Sequence, residues 1–254
     1  MLLFGITGSI NHGKTAFSNA LTGLKPTSSR HFTSFQVIAS VAEAMHKTTH
    51  SIPPSRDIEA INTWLEPLPA ILSEQVHAHT SISQINFSRE DVEKSPQDYT
   101  KLLDYLDNLK DNPSLLNQPI NESNVESYRP FLQWLGGYLV AKVSPGIWYE
   151  EIIRRVKQGE SQHKADLCII DGLRYPNDAK LVEEAGGVIL EISRPGIDPI
   201  DTQDVTERER QLIRPDILIV NDGGISGLQK VARQILRDVK NNNYQKTYQV
   251  SSLS

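Results

Sequence analysis

One stretch near the start of the chain has the residue types and spacing to hold a chain of phosphates. Gly8-Ser9-Ile10-Asn11-His12-Gly13-Lys14-Thr15 matches G-x-x-x-x-G-K-[ST] in full. The glycines let the backbone curl so that several N–H groups face one anion, and a helix beginning at the loop adds the positive end of its dipole. Lys14 would reach the β- and γ-phosphates of a nucleotide, and the Thr15 hydroxyl would sit on Mg²⁺. Gly8, Asn11, His12, Gly13, Lys14, Thr15 and Ala16 are therefore the expected ATP-binding residues of this segment.

A second group lies far along the chain. Asp171 closes the apolar run Leu167-Cys168-Ile169-Ile170, a place where a carboxylate can hold Mg²⁺ directly or through its water. Alone, such an Asp would simply mark a strand end; with a phosphate loop in the same sheet it joins Thr15 as an expected metal residue. Transfer to a phosphate acceptor needs positive charge on both reacting anions and no general base, because the attacking oxygen is already ionised. Arg174 follows Asp171 at the carboxyl end of that strand, where open α/β sheets present their ligand crevice, and is expected to meet the acceptor phosphate.

These residues need a sheet to position them. Leu2 to Thr7 reads as a strand and the residues after Gly13, with Phe17, Ala20 and Leu21 at helical spacing, as a helix. Phe35 to Ala39 is the second expected strand, with a small helix over Val41 to His46. Leu167 to Asp171, Val188 to Ile192 and Ile217 to Val220 follow as strands three to five, with helical patterns over Ala179 to Ala185 and Val205 to Leu212 between them. A last helix shows Leu228, Val231, Ala232, Ile235, Leu236 and Val239 on one face. Strands alternating with helices indicate a parallel sheet covered on both sides. Residues of about 50 to 165 read as a helical insertion, with periodic segments at Asp98 to Leu109, Pro130 to Lys142 and Gly146 to Val156. Residues 241 to 254 are polar and aperiodic, and are expected to fray.

Composition sets the limits. The 254 residues include 38% hydrophobic and 22% charged residues, as in a folded protein. The net charge of −5 offers no global positive field for nucleic acid or an anionic membrane, so any anion site must be local. A lone Cys168 excludes an internal disulfide and a multi-cysteine metal cluster and fits a reducing, cytoplasmic setting. Met1 to Ile6 is too short for a signal-peptide core, and no stretch reaches the roughly 20 apolar residues of a membrane span.

Ile169-Ile170-Asp171-Gly172-Leu173-Arg174-Tyr175-Pro176-Asn177-Asp178, then Gly186 to Pro195, Thr206-Glu207 and Asp216 to Gly224, resemble the C-terminal half of phage- and bacterial-type deoxynucleoside monophosphate kinases. With the phosphate loop and the segment Arg129-Pro130-Phe131-Leu132-Gln133-Trp134-Leu135-Gly136 to Trp148, the likeness covers a little over half the chain. The resemblance implies an adenylate-kinase-like three-layer α/β P-loop fold, with five parallel strands in the order 2-3-1-4-5, over residues 1 to 240. It implies an acceptor-binding region after the second strand and a lid over about 194 to 214. It places Arg129 and Gln133 on the acceptor, Asn221 and Gly223 near adenine, and Arg194, Arg208, Arg210 and Arg214 in the lid segment, with Arg208 and Arg210 catalytic. After the second strand the family often shows an Ala-Asp-Pro-Leu-Lys-like stretch, where this chain has Ala39-Ser40-Val41-Ala42-Glu43.

The reading is an Mg-ATP-dependent kinase of a (deoxy)nucleoside monophosphate, with Lys14, Asp171, Arg174, Arg208 and Arg210 as catalytic residues. Its partners would be ATP and the monophosphate, with a homodimer compatible with the sequence. Two rivals stay open: a P-loop kinase of a hydroxyl acceptor such as a nucleoside or dephospho-coenzyme A, and a nucleotide-binding module that transfers nothing. The first rival needs a carboxylate base near the second strand's end, where Ser40 stands. His77 and His79 could suggest a metal pair, but no Cys or carboxylate pattern completes it. Trp64, Trp134 and Trp148 sit in helical patterns where core packing is the default, with Trp134 beside Gln133 also a candidate acceptor residue that stacks on a base, and Cys168 reads as packing.

Overall fold

The structure is a computed structural model that describes residues 1–25, 27–77, 85–161, 165–197 and 205–250. In chain order the elements are β1 (Leu2–Thr7), α1 (Lys14–Leu24), β2 (Ser29–Thr33), α2 (Ser34–Thr49), α3 (Ile58–Leu65), α4 (Leu68–Gln75), α5 (Arg89–Lys94) and α6 (Pro96–Asp111). After a 3-10 turn at Pro113–Asn117 come α7 (Val125–Lys142), α8 (Ile147–Ser161), β3 (Leu167–Asp171), α9 (Pro176–Glu184), β4 (Val188–Ser193), α10 (Val205–Arg210), β5 (Ile217–Asn221), α11 (Ile225–Lys240) and β6 (Thr247–Val250). The chain forms two compact units, one of residues 1–34 and 152–254, the other of residues 35–151. The helical unit therefore begins at Phe35 and ends at Glu151, against the expected bounds of 50 and 165.

Among the described residues the first unit holds one sheet of six strands, β2-β3-β1-β4-β5-β6, with every pair parallel. Five of them keep the expected order 2-3-1-4-5; the sixth corrects the strand count. β3 is buried at all five positions, as a central strand covered on both faces must be, which is why it reads as an uninterrupted apolar run. Phe4 and Ile6 of β1, Phe17 and Leu21 of α1, and Leu228, Val231, Ala232 and Ile235 of α11 close one core beneath the sheet.

Two expected elements are corrected. The second strand is Ser29–Thr33, and the expected strand Phe35 to Ala39 is the start of α2. Val37, Val41, Ala42 and Met45 are buried at helical spacing, so the apolar run at Val37-Ile38-Ala39 belongs to a helix face. β2 lies at the sheet edge with no fully buried position and needs no apolar run. The polar tail supplies β6, whose Tyr248 and Val250 are buried while Thr247 and Gln249 are exposed. Tyr248 is anchored by donating its hydroxyl to Asp238 at 3.0 Å. Residues 251–254 of the expected frayed tail lie outside the described residues.

The second unit is helical, built on an aromatic core. Phe131 stacks on Tyr105 with ring centroids 4.6 Å apart, and Trp134 stacks on Tyr138 at 4.9 Å. His46 lies among Tyr105, Tyr128 and Phe131. Its Nε2 is 2.6 Å from the Tyr105 hydroxyl, and burial pushes its pKa down to about 4. Trp64 and Trp148 are buried, their indole N–H groups donating to Ser51 O and Gly136 O. Asn62 fixes Phe87 by both accepting its N–H and donating to its carbonyl. Among the described residues, no helix is long and apolar enough to cross a membrane.

Candidate active site

The phosphate loop leaves the carboxyl end of β1 and enters α1 at Lys14. Its backbone is left-handed at Gly8 (φ 142°), Asn11 (67°) and Gly13 (101°). Sterics enforce glycine at both ends as well: a Cβ on Gly8 would lie 2.4 Å from Ile192 O, and one on Gly13 would lie 2.6 Å from Asn221 Nδ2. Lys14 Nζ donates to Ser9 O at 2.8 Å, so its ammonium lies back over the loop.

Neighbouring strands brace this loop. Asn221, 2% exposed at the end of β5, donates to His12 O at 2.9 Å. One amide N–H of Asn221 is thereby used to brace the loop backbone. Gly223 lies two residues on and is half-buried. His12 Nδ1 accepts the N–H of Arg194, just beyond β4, at 3.3 Å, which leaves the ring proton on Nε2. Burial first, then Arg210 and Lys14, hold His12 below its ordinary pKa, so it is neutral. His12 Nε2 and Asn221 Oδ1 are buried without a hydrogen-bond partner, two orphaned polar atoms in the residues that shape the loop.

Asp171 ends β3 and is 8% exposed. Its Oδ2 accepts the hydroxyl of Ser18 at 2.9 Å, and His31 Nε2 on β2 stands 3.7 Å from the same oxygen. Ser18 is fully buried on α1 and was missed by sequence reasoning. The available signal was a serine beside Phe17, Ala20 and Leu21 on an otherwise apolar face. The contacts of Asp171 described above fall on Oδ2, so Oδ1 would be the oxygen offered to a cation, and Thr15 is exposed at the start of α1. These oxygens suit Mg²⁺, a hard cation that prefers few protein ligands and substrate phosphates. Among the described residues no cluster of three His, Cys, Asp or Glu forms a metal site of its own. His77 stands 3.6 Å from Glu151, and His79 lies outside the described residues.

The cations divide. Burial lowers the pKa of Lys14, Asp171 opposes that shift, and Arg174 and Arg210 reinforce it, so both guanidiniums act on this ammonium. Arg174 is exposed after β3; its backbone N–H and that of Tyr175 donate to buried Asp178, which fixes the turn into α9. Desolvation raises Asp178 to about 6 against those two hydrogen bonds. Arg210 is 7% exposed on α10 and donates to Ser9 Oγ at 2.7 Å and Glu207 Oε2 at 2.9 Å, with Glu191 Oε1 at 3.5 Å. Arg194, Arg208 and Arg214 are exposed, and residues 198–204 of the expected lid lie outside the described residues.

The expected acceptor residues sit on α7 in the helical unit. Arg129 is exposed and held by Glu126, Nε to Oε2 at 2.8 Å. Gln133 is exposed. Trp134 corrects its expectation: at 1% exposure, stacked on Phe131 and Tyr138, it is a packing residue with no ring face for a base.

No curated protein matches the chain. The sequence pattern of the family described as deoxynucleotide monophosphate kinase matches residues 70–231, from α4 through β3, β4 and β5 into α11. With more than half of its length matched, the chain belongs to the deoxynucleotide monophosphate kinase family.

Proposed function

We propose that this nucleotide kinase transfers the γ-phosphoryl group of Mg-ATP to a deoxynucleoside monophosphate, giving the diphosphate and ADP. The observation that carries the reading is a complete phosphate loop on which two cations converge, Lys14 Nζ on Ser9 O at 2.8 Å and buried Arg210 on Ser9 Oγ at 2.7 Å. Cations that meet a loop of backbone N–H groups at the start of a helix favour a bound polyanion there.

The donor phosphates lie on the loop N–H groups, and Lys14 exchanges Ser9 O for phosphate oxygens. A phosphate oxygen of the acceptor attacks the γ-phosphorus in line while the bond to the β-bridging oxygen breaks. No side chain needs to take a proton. Arg174 holds the acceptor phosphate, and Arg210, with Arg208 from the same helix, stabilises charge on the transferred group. Arg129 and Gln133, exposed on α7, are the proposed acceptor residues of the helical unit. Thr15 and Asp171 would hold Mg²⁺, which supplies charge neutralisation on the β- and γ-oxygens.

The test is ADP release from ATP across all deoxynucleoside and ribonucleoside monophosphates, with free nucleosides alongside. A deoxynucleoside monophosphate should be the best acceptor. Turnover with a nucleoside and with no monophosphate would transfer the assignment to the hydroxyl-acceptor class.

A further inference from the structure

Arg210 does not meet the phosphate loop alone. The hydroxyl of Ser9, inside the loop, donates to Glu207 Oε2 at 3.1 Å, and the same oxygen accepts from Arg210 Nε at 2.9 Å. Arg210 Nη2 in turn donates to Ser9 Oγ, closing a three-membered ring of hydrogen bonds. The side chains of Arg210 and Glu207 are only 7% and 16% exposed. Glu207 also acts electrostatically on both Lys14 and His12, raising each. A carboxylate therefore rests on the loop, among the cations that the donor phosphates would use.

We propose that Glu207 is a placeholder anion: its carboxylate neutralises the phosphate loop in the absence of nucleotide, and a phosphate group of the donor displaces it from Ser9 and Arg210. The inference rests on the reading of Gly8–Thr15 as the donor site. A desolvated guanidinium needs an anion beside it at all times. Glu191, 3.5 Å from Nη1, keeps part of that role on the other side of the fork. Glu207 can leave only when another anion arrives, because departure alone would strand Arg210 and Lys14 with their mutual repulsion. A carboxylate and a phosphate cannot share the site, since like charges side by side oppose each other. Glu207 thus competes with substrate and lowers donor affinity, while holding Arg210 ready against the loop.

The competing possibility is that Glu207 stays paired with Arg210 throughout and fixes its orientation. The two differ in sign. ADP and a non-hydrolysable ATP analogue should be titrated calorimetrically into the wild-type protein, Glu207→Gln and Glu207→Ala, with adenosine as a ligand lacking phosphate. Both substitutions should tighten the phosphate-bearing ligands by roughly three- to tenfold, the size of one exchanged hydrogen-bonded pair, and leave adenosine unchanged. Unchanged or weaker binding of the ATP analogue in both folded variants overturns the proposal. Should Glu207→Gln fail to fold, Glu207→Ala decides. Lys14→Ala separates the two readings: if it binds the ATP analogue as the wild type does, the loop is not the donor site and the underlying reading fails first.

Discussion

At the scale of single residues, the proposed chemistry turns on Arg174 and Lys14. Arg174 is exposed at the end of a rigid strand, with its backbone pinned by Asp178, while its head group acts on the Lys14 ammonium. Lysine lacks the planar fork that grips two phosphate oxygens. Arg174→Lys should therefore raise the acceptor KM or lower kcat while leaving ATP affinity nearly unchanged, which steady-state kinetics with each substrate varied will show. Ser18 makes a subtler case. Its hydroxyl is a hydrogen bond to a carboxylate in a fully buried position, worth about 1.5–3 kcal/mol. Ser18→Ala should raise the Mg²⁺ concentration needed for half-maximal nucleotide binding several-fold, with metal-free nucleotide affinity unchanged, as read by calorimetry. The phosphate loop's backbone and the strand that ends at Asp171 were legible because each is tied to a local pattern. Ser18 to Asp171 and Ser9 to Glu207 were not, because their partners lie 153 and 198 residues apart and nothing local announces them.

At the scale of elements, burial on both faces separates what the sequence reveals from what it hides. The central strands β1 and β3 announce themselves as apolar runs, whereas the edge strands β2 and β6 do not. α2 shows the converse: Val37-Ile38-Ala39 is short enough to pass for a strand until Val41, Ala42 and Met45 continue the helical face. Trp134 was misassigned for a related reason, since an aromatic beside a polar Gln133 reads as a binding pair until the stack of Phe131 and Tyr138 is seen. The core of the helical unit also makes a pH prediction. His46 has its pKa lowered from 6.5 to about 4, so the folded state holds it neutral while the unfolded chain protonates first. Its contribution is present above about pH 6.5 and is lost as pH falls through about 4, on the order of 3 kcal/mol in all. Denaturant titrations between pH 7 and 4 should show the wild type losing stability relative to His46→Phe. A constant difference across that range would contradict the neutral, buried histidine.

At the scale of the whole molecule, a chain of net charge −5 still brings local positive charge to the loop, where Lys14 and Arg210 both bond Ser9. The sheet rule places ligands there, and the expected strand order put the loop of β1 between β3 and β4, where Asp171 and Arg194 approach it. The division into units at Phe35 and Glu151 was hidden because both boundaries fall inside or beside continuous helices, α2 and α8, which carry no linker composition. The central claim is phosphoryl transfer at the Gly8–Thr15 loop onto a deoxynucleoside monophosphate. The direct measurement follows label from the γ-phosphate of ATP into the products, with the wild-type protein and a folded Lys14→Ala variant compared on the best acceptor. Label should appear in the deoxynucleoside diphosphate with the wild type, and its rate should fall by about 10²-fold or more in the variant. Label recovered only as inorganic phosphate, or near-normal transfer by Lys14→Ala, would contradict the account.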